Sequence, residues 1–526
     1  MFRVFIPKFR SIHHLLVLLG LGWFFVFVYH ERYAAWYAVS KCEWSFDFKN
    51  STNVMLIADP QLIDNHTYPG RNELLLKLSK HTVDMYLKRN YQALIDNLNP
   101  DHVIFLGDYL DNGRSSSDEY YAKELSRFNR IFYNKKIKKK LYEKDQNWFI
   151  NLPGNHDIGF GDNVKNRDRF IKNFGNPNQV ITIRNVDFIT IDSLSYSSEK
   201  QEIQQQTIDF IDNLPSKSNR RILLSHIPLY RQESQTCGPL RESRKPIKPM
   251  FRGYQYQTTL DPQRTNDLLT KINPNLIFSG DDHDFCEVIH QINDDSNSNN
   301  NNNDDDNKNN ININNKKIHE FTVKSISMAM GIKYPAVQLL SFEDQESSGF
   351  STSICYTQTP YVNIASYLFM TALSTLLILW WNIKQRSSRY NYSILPTRNT
   401  SIAMKSSITS PISNPPSSTI LSSSSLNSRK ISNFLKDQDN DQFPNTFGSN
   451  YFNIPAYTST SLNSPSYFTK LSQSFNHSQF GKFMNNSNKI VKKFVKKWNI
   501  GSFIKHCICF GLFIISLYYF GFCLTI

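Results

Sequence analysis

Apolar residues gather into three long runs and one central block, separated by polar low-complexity sequence. The runs cover residues 12–30, 361–383 and 507–526. Each is close to the roughly 20 residues that a helix needs to cross a hydrocarbon core. Arg3, Lys8 and Arg10 precede the first run, and no small-residue cleavage pattern follows it, so it reads as an uncleaved signal-anchor. Lys384, Arg386 and Arg389 follow the second run, and a lysine cluster from Lys489 to Lys505 precedes the third. The excess of cations at cytosolic ends then places residues 1–11 and 384–503 in the cytosol. The block between the first two runs lies on the lumenal or outer side, and the third run ends there too.

The central block, residues 50–350, alternates short β-rich runs with helical patterns. Residues 54–58, 103–106, 148–150, 221–224 and 276–278 read as buried strands, and 180–192 as a strand pair. Glu73–Leu98 has helical spacing and stops before Asn99-Pro100. Strands alternating with helices predict an α/β layered core. An Asn/Asp tract at 293–316 reads as a surface loop insertion, and 384–503, rich in Ser and Asn, as a disordered tail.

The net charge of +14 suggests nucleic-acid binding until its position is considered. Residues 384–505 hold 16 Lys/Arg against 3 Asp, a net of +13, which leaves +1 for everything else. A basic segment beside apolar runs suits the surface of a lipid bilayer, and no nucleic-acid partner is expected. Of seven cysteines, Cys42, Cys237, Cys286 and Cys355 fall on the lumenal side, where disulfides form. Four cysteines allow three pairings. Cys42 and Cys355 both lie near the bilayer ends of the block and are the favoured pair; the alternative leaves Cys237 and Cys286 as free thiols. The sequons beginning at Asn50 and Asn65 are expected to carry glycans, and the one at Asn476 to stay bare.

Polar residues recur just after the predicted strands: Asp59-Pro60-Gln61, then Gly107-Asp108-Tyr109-Leu110-Asp111, then Gly154-Asn155-His156-Asp157, then Ser225-His226, then Gly280-Asp281-Asp282-His283. Strand C-termini in α/β sheets open onto the ligand crevice, so these groups can converge, and Asp, Asn, Gln and His together form a metal-binding set.

Those five pieces, in that order, resemble the calcineurin-like metallophosphoesterase family, over about residues 50–345. The resemblance implies a four-layer α/β/β/α sandwich and two divalent metal ions. Asp59 and His283 would bind the first metal, Asp108 would bridge both, and Asn155 and His226 would bind the second. His156 matches the residue that assists the leaving oxygen, with Asp157 as its expected orienting partner and Asp111 in a supporting place. Gln61 and Asp281 stand where histidines are usual. Both substitute oxygen for nitrogen, which favours Mn²⁺ or Mg²⁺ over Zn²⁺. Arg114, Arg231 and Arg241 are candidate contacts to phosphate or glycan.

The same departures, with Pro228-Leu229-Tyr230-Arg231, are similar to the fungal-type branch of the metallophosphoesterase 1 group. That resemblance implies a multi-pass membrane protein of the endoplasmic reticulum or Golgi. Its lumenal domain would remove ethanolamine phosphate from the mannose core of glycosylphosphatidylinositol (GPI) anchors. GPI-anchored proteins, or the GPI glycan itself, would be the substrate. The competing readings are a metallophosphatase acting on another lumenal phosphoester and a non-catalytic receptor for GPI-anchored cargo.

Overall fold

The computed structural model describes residues 11–45, 51–134, 137, 148–160, 163–245, 247–253, 256–292, 316–343, 349–392 and 500–524. The Asn/Asp tract at 293–315, the tail from 393 to 499 with Asn476, residues 1–10 and Asn50 lie outside the described residues. Residues 1–381 with 501–526 form one compact unit, which contains the two sheets and the site described below.

Two sheets make up the centre. One has the order β13(Phe350–Tyr356)-β12(Ala336–Glu343)-β1(Ser51–Ile57)-β2(His102–Phe105)-β3(Trp148–Phe149). The other runs β10(Cys286–Ile292)-β11(Lys316–Thr322)-β9(Leu276–Ser279)-β6(Arg220–Ser225)-β5(Val186–Ile191)-β4(Gln179–Ile183). β1, β2 and β3 are parallel, as are β11, β9, β6 and β5, while β12, β13, β10 and β4 pair antiparallel at the flanks.

The side-chain alternation of each strand explains the layering. Val54 and Leu56 of β1, Ile104 of β2, Ile222 and Leu224 of β6, and Leu276 and Phe278 of β9 meet in one core shared by the two sheets. Their sequence neighbours Met55, Ile57, Val103, Phe105, Leu223 and Ile277 point the other way, into a second apolar cluster. That cluster also holds Tyr91 and Leu94 of α1(Glu73–Leu98), Phe128 and Phe132 of α2(Asp118–Phe132), Phe170 of α3(Val164–Phe174) and Leu268 of α4(Pro262–Ile272). Strands apolar on both faces are what a sheet covered on both sides requires, and the result is the expected α/β/β/α sandwich.

Helix α1 has the bounds that its periodicity predicts. Asn72 caps its N-terminus by accepting from the backbone amides of Leu74 and Leu75, and Asn99 ends it at φ +43°. Cys42 and Cys355 are bridged, with Cα atoms 5.5 Å apart across 313 positions of sequence, which is the favoured pair. Cys237 and Cys286 are bridged as well, so they are not free thiols.

Three helices are long and apolar enough to cross a membrane: Ile12–Val39, Val362–Lys384 and Ile500–Cys523. The first continues through a wider turn at Tyr29–Tyr33 beyond the end of its apolar run, and the third starts at Ile500, earlier than residue 507. They share an apolar cluster of Leu19, Trp23, Phe27, Ile378, Phe510 and Ile514, and Trp23 Nε1 donates to Ser374 Oγ at 3.1 Å. Where the first helix leaves this cluster it meets the central block through a buried ion pair. Arg89 Nη1 on α1 lies 2.6 Å from Glu31 Oε2, Tyr367 donates to the same carboxylate, and Arg89 Nε donates to Gln358. Removing only the cation strands a buried carboxylate. Arg89→Met is therefore expected to cost about 3–5 kcal/mol, read as a drop in thermal midpoint in detergent, and Glu31→Gln in the same chain should restore much of it.

Candidate metal centre

The five polar pieces do converge at the C-terminal ends of β1, β2, β6 and β9 and at the short helix α5(Asn155–Ile158), named here for the site although it precedes α3 in the chain. The chain must turn sharply as it leaves each strand. Asp59, Gln61, Asp108, Asp281 and His283 all have positive φ, between +32° and +68°. Five non-glycine residues in the left-handed region, gathered in one place, is strain held by the surrounding fold, and such strain concentrates at functional sites.

Asp59, Asp108 and His226 bring ligand atoms within 4.8 Å of one another, and all three are buried. His226 donates from Nδ1 to the Leu106 carbonyl at 2.8 Å, which fixes its tautomer and turns the Nε2 lone pair inward. That lone pair faces Asn155 Oδ1 at 3.3 Å and the Oδ1 atoms of Asp108 and Asp281 at 3.6 Å each. In the neutral ring that lone pair would repel three oxygens, and either a proton or a bound cation relieves it. Burial alone would lower the imidazole of His226, yet the carboxylates of Asp108, Asp281 and Asp59 outweigh it and push the ring up to about 10. Burial raises Asp59 well above the usual carboxylate range and Asp281 to about 6. The same cause pushes His283 down to about 4, so that its ring stays neutral with a lone pair to give.

Asp59 Oδ2, Asp281 Oδ2 and Gln61 Oε1 are buried without a hydrogen-bond partner among the described residues. Buried acceptors are paired unless something unseen pairs them. Orphaned oxygens, crowded carboxylates and a neutral histidine fit bound divalent cations. Gln61 presents its carbonyl oxygen because its amide is committed elsewhere: Nε2 donates to Asp111 Oδ1 at 2.8 Å and lies 3.1 Å from the His156 ring.

His156 is partly exposed, with its backbone amide on Asp108 Oδ1 at 2.9 Å. Its ring is oriented by Asp111, not by Asp157 as the sequence suggested. Nδ1 donates to the Asp111 carbonyl at 2.6 Å and sits 3.3 Å from its carboxylate. Asp157 instead accepts from the backbone amides of Tyr109, Leu110 and Gly154 and so joins the second and third loops. An adjacent residue on a one-turn helix points away from its neighbour's side chain, which is why proximity in sequence misled here.

The three arginines are all engaged by the protein. Arg114 donates to the Asn155 carbonyl at 3.1 Å and steadies the His156 loop. Arg241 pairs with Asp282, between two candidate ligands. Arg231 is 2% exposed, paired with Glu320 at 3.1 Å and in contact with Cys286 Sγ, so it is a core ion pair and not a contact to phosphate. Sequence reasoning passed over Tyr256, whose hydroxyl is raised by burial and by the carboxylates of Asp281 and Asp282. It lies on a short hairpin, β7(Arg252–Gly253)-β8(Tyr256–Gln257), in a stretch without apolar periodicity.

Residues 52–285 match the family model described as calcineurin-like phosphoesterase. The chain is 35% identical over 388 residues to "Cell division control protein 1" of Saccharomyces cerevisiae, covering 69% of this chain and 74% of that one. It is 26% identical to "Metallophosphoesterase 1" of Ailuropoda melanoleuca (51% and 71% covered) and 24% identical to "Metallophosphoesterase 1 homolog" of Caenorhabditis elegans (71% and 94% covered).

Proposed function

This chain belongs to the calcineurin-like phosphoesterase family, and from that premise we propose that it is a membrane-anchored phosphodiesterase that removes ethanolamine phosphate from the mannose core of GPI anchors. The observation that carries the chemistry is the cluster of buried carboxylates and orphaned oxygens at the strand ends. The choice of substrate rests on the resemblance to the metallophosphoesterase 1 group and on the apolar helices at both ends of the domain.

Asp59, Gln61, Asp108 and His283 would hold one divalent cation, and Asp108, Asn155, His226 and Asp281 the other. Bound there, the cations supply the Lewis acidity that phosphoester hydrolysis needs. The chain's own residues supply position and a proton. Overall, water adds across one P–O bond: a new P–O bond forms, the bond to the sugar breaks, and the sugar oxygen leaves with a proton. With Nδ1 donating to the Asp111 carbonyl and Nε2 3.1 Å from the Gln61 amide, His156 would give that proton from Nε2 as the doubly protonated ring, the Gln61 amide giving way to the sugar oxygen. The domain would face the lumen of the endoplasmic reticulum or Golgi, where this glycan is exposed, with the basic tail in the cytosol.

The direct test is mass spectrometry of GPI glycans from cells lacking the protein. Retained ethanolamine phosphate on the mannose core is expected, and an unchanged glycan profile would refute the substrate. The oxygen-rich ligand set predicts a metal preference. After chelation, Mn²⁺ should restore about tenfold more turnover than Zn²⁺, and Gln61→His with Asp281→His should narrow or reverse that gap.

A further inference from the structure

A cavity of about 220 Å³ opens beside the metal centre, lined by Phe160, Ser197, Glu199, Arg252, Tyr256 and Gln257 among others. Two of its walls adjoin the centre. Phe160 lies four residues after His156, just past α5, and Tyr256 is close enough to Asp281, Asp282 and Asp59 for their carboxylates to act on its hydroxyl. Ser197 is 6% exposed, yet its Oγ has no hydrogen-bond partner among the described residues. Glu199 and Arg252 are exposed at the cavity and enter no ion pair among those residues. Arg241 and Arg231, by contrast, are paired, with Asp282 and Glu320.

One unpaired charge of each sign, two aromatic rings and an unused hydroxyl complement a small zwitterion better than a plain anion. An ammonium is held well by a carboxylate and aromatic faces together. Resting on the phosphodiesterase reading above, we infer that this cavity receives the aminoalkyl end of the substrate phosphoester, with Glu199 pairing the ammonium, Phe160 and Tyr256 flanking it, and Arg252 facing the phosphoryl side. Specificity for an ethanolamine phosphoester then resides in this cavity, and the metal centre is indifferent to the alcohol.

The test compares 2-aminoethyl 4-nitrophenyl phosphate with propyl 4-nitrophenyl phosphate, using the full chain in detergent with Mn²⁺. For the wild type, kcat/KM should favour the aminoethyl ester by about tenfold, mostly through KM. Glu199→Gln should bring that ratio close to one, Glu199→Asp should keep part of it, and Glu202→Gln, on the neighbouring helix Gln201–Asp212, should leave it unchanged. A wild-type ratio near one would overturn the ethanolamine reading, and this inference with it. A high wild-type ratio that survives in Glu199→Gln overturns the cavity assignment alone. Should neither ester turn over, calorimetry of ethanolamine phosphate against propyl phosphate decides: about tenfold tighter binding of the former supports the cavity, and equal binding overturns it.

Discussion

Asp108→Asn should lower turnover of bis(4-nitrophenyl) phosphate by about a thousandfold or more and reduce bound metal from two ions to less than one. The substitution keeps shape and volume at a residue 1% exposed, and an amide oxygen can still accept from the His156 amide. Folding is therefore largely spared, and the loss reports the charge. Among the described residues Asp108 is the carboxylate that both lies 3.6 Å from His226 Nε2 and accepts from the His156 backbone amide, the place expected of the proposed bridging ligand. Metal content by mass spectrometry and turnover on the same preparation check the prediction. Two bound metals with wild-type turnover would remove Asp108 from the centre.

Gly154→Ala should be nearly as damaging, although Gly154 is not a candidate ligand. A Cβ at Gly154 would sit 1.9 Å from Asp108 Oδ1 and 2.4 Å from its backbone nitrogen. Gly154 has φ −105°, which any residue can adopt, so what glycine provides here is space and not conformational freedom. The clash cannot be relieved by a rotating side-chain tip, because the backbone of Asp108 is hit as well. Shifting a reacting group by about 1 Å can cost a hundredfold in rate, and that is the minimum loss expected. Gly349→Ala, whose added methyl meets nothing within 4 Å, should keep wild-type turnover and serves as the control.

Much of this centre was legible in the chain because each group of candidate ligands follows a short, mostly apolar strand. In a sandwich covered on both faces, such strands stand out, and the polar residue that ends each one must lie at the sheet's edge. What stayed hidden depends on packing at long range. Arg231 looked like a free cation, but its partner Glu320 lies 89 positions away on β11. Lys324 is a buried lysine inside an apolar run, held by Asp284 and Glu242. That polar network, and not apolar periodicity, anchors the segment around residues 241–245, so no pattern announced it or the cavity nearby. The exchange of Asp111 for Asp157 as the partner of His156 followed from the helical turn, which adjacency in sequence conceals.

The buried pair of Glu31 and Arg89 ties the first apolar helix to α1, and the Cys42–Cys355 bridge ties the segment after that helix to β13, so the sandwich is held at two points. A domain held at two points swings little, and under the proposed function the substrate would do the turning. Under the proposed function, the capture rate for a bulky protein substrate should follow how freely its own linker reorients, so that two proteins carrying an identical anchor would be processed at different speeds according to the length and stiffness of the chain just above it.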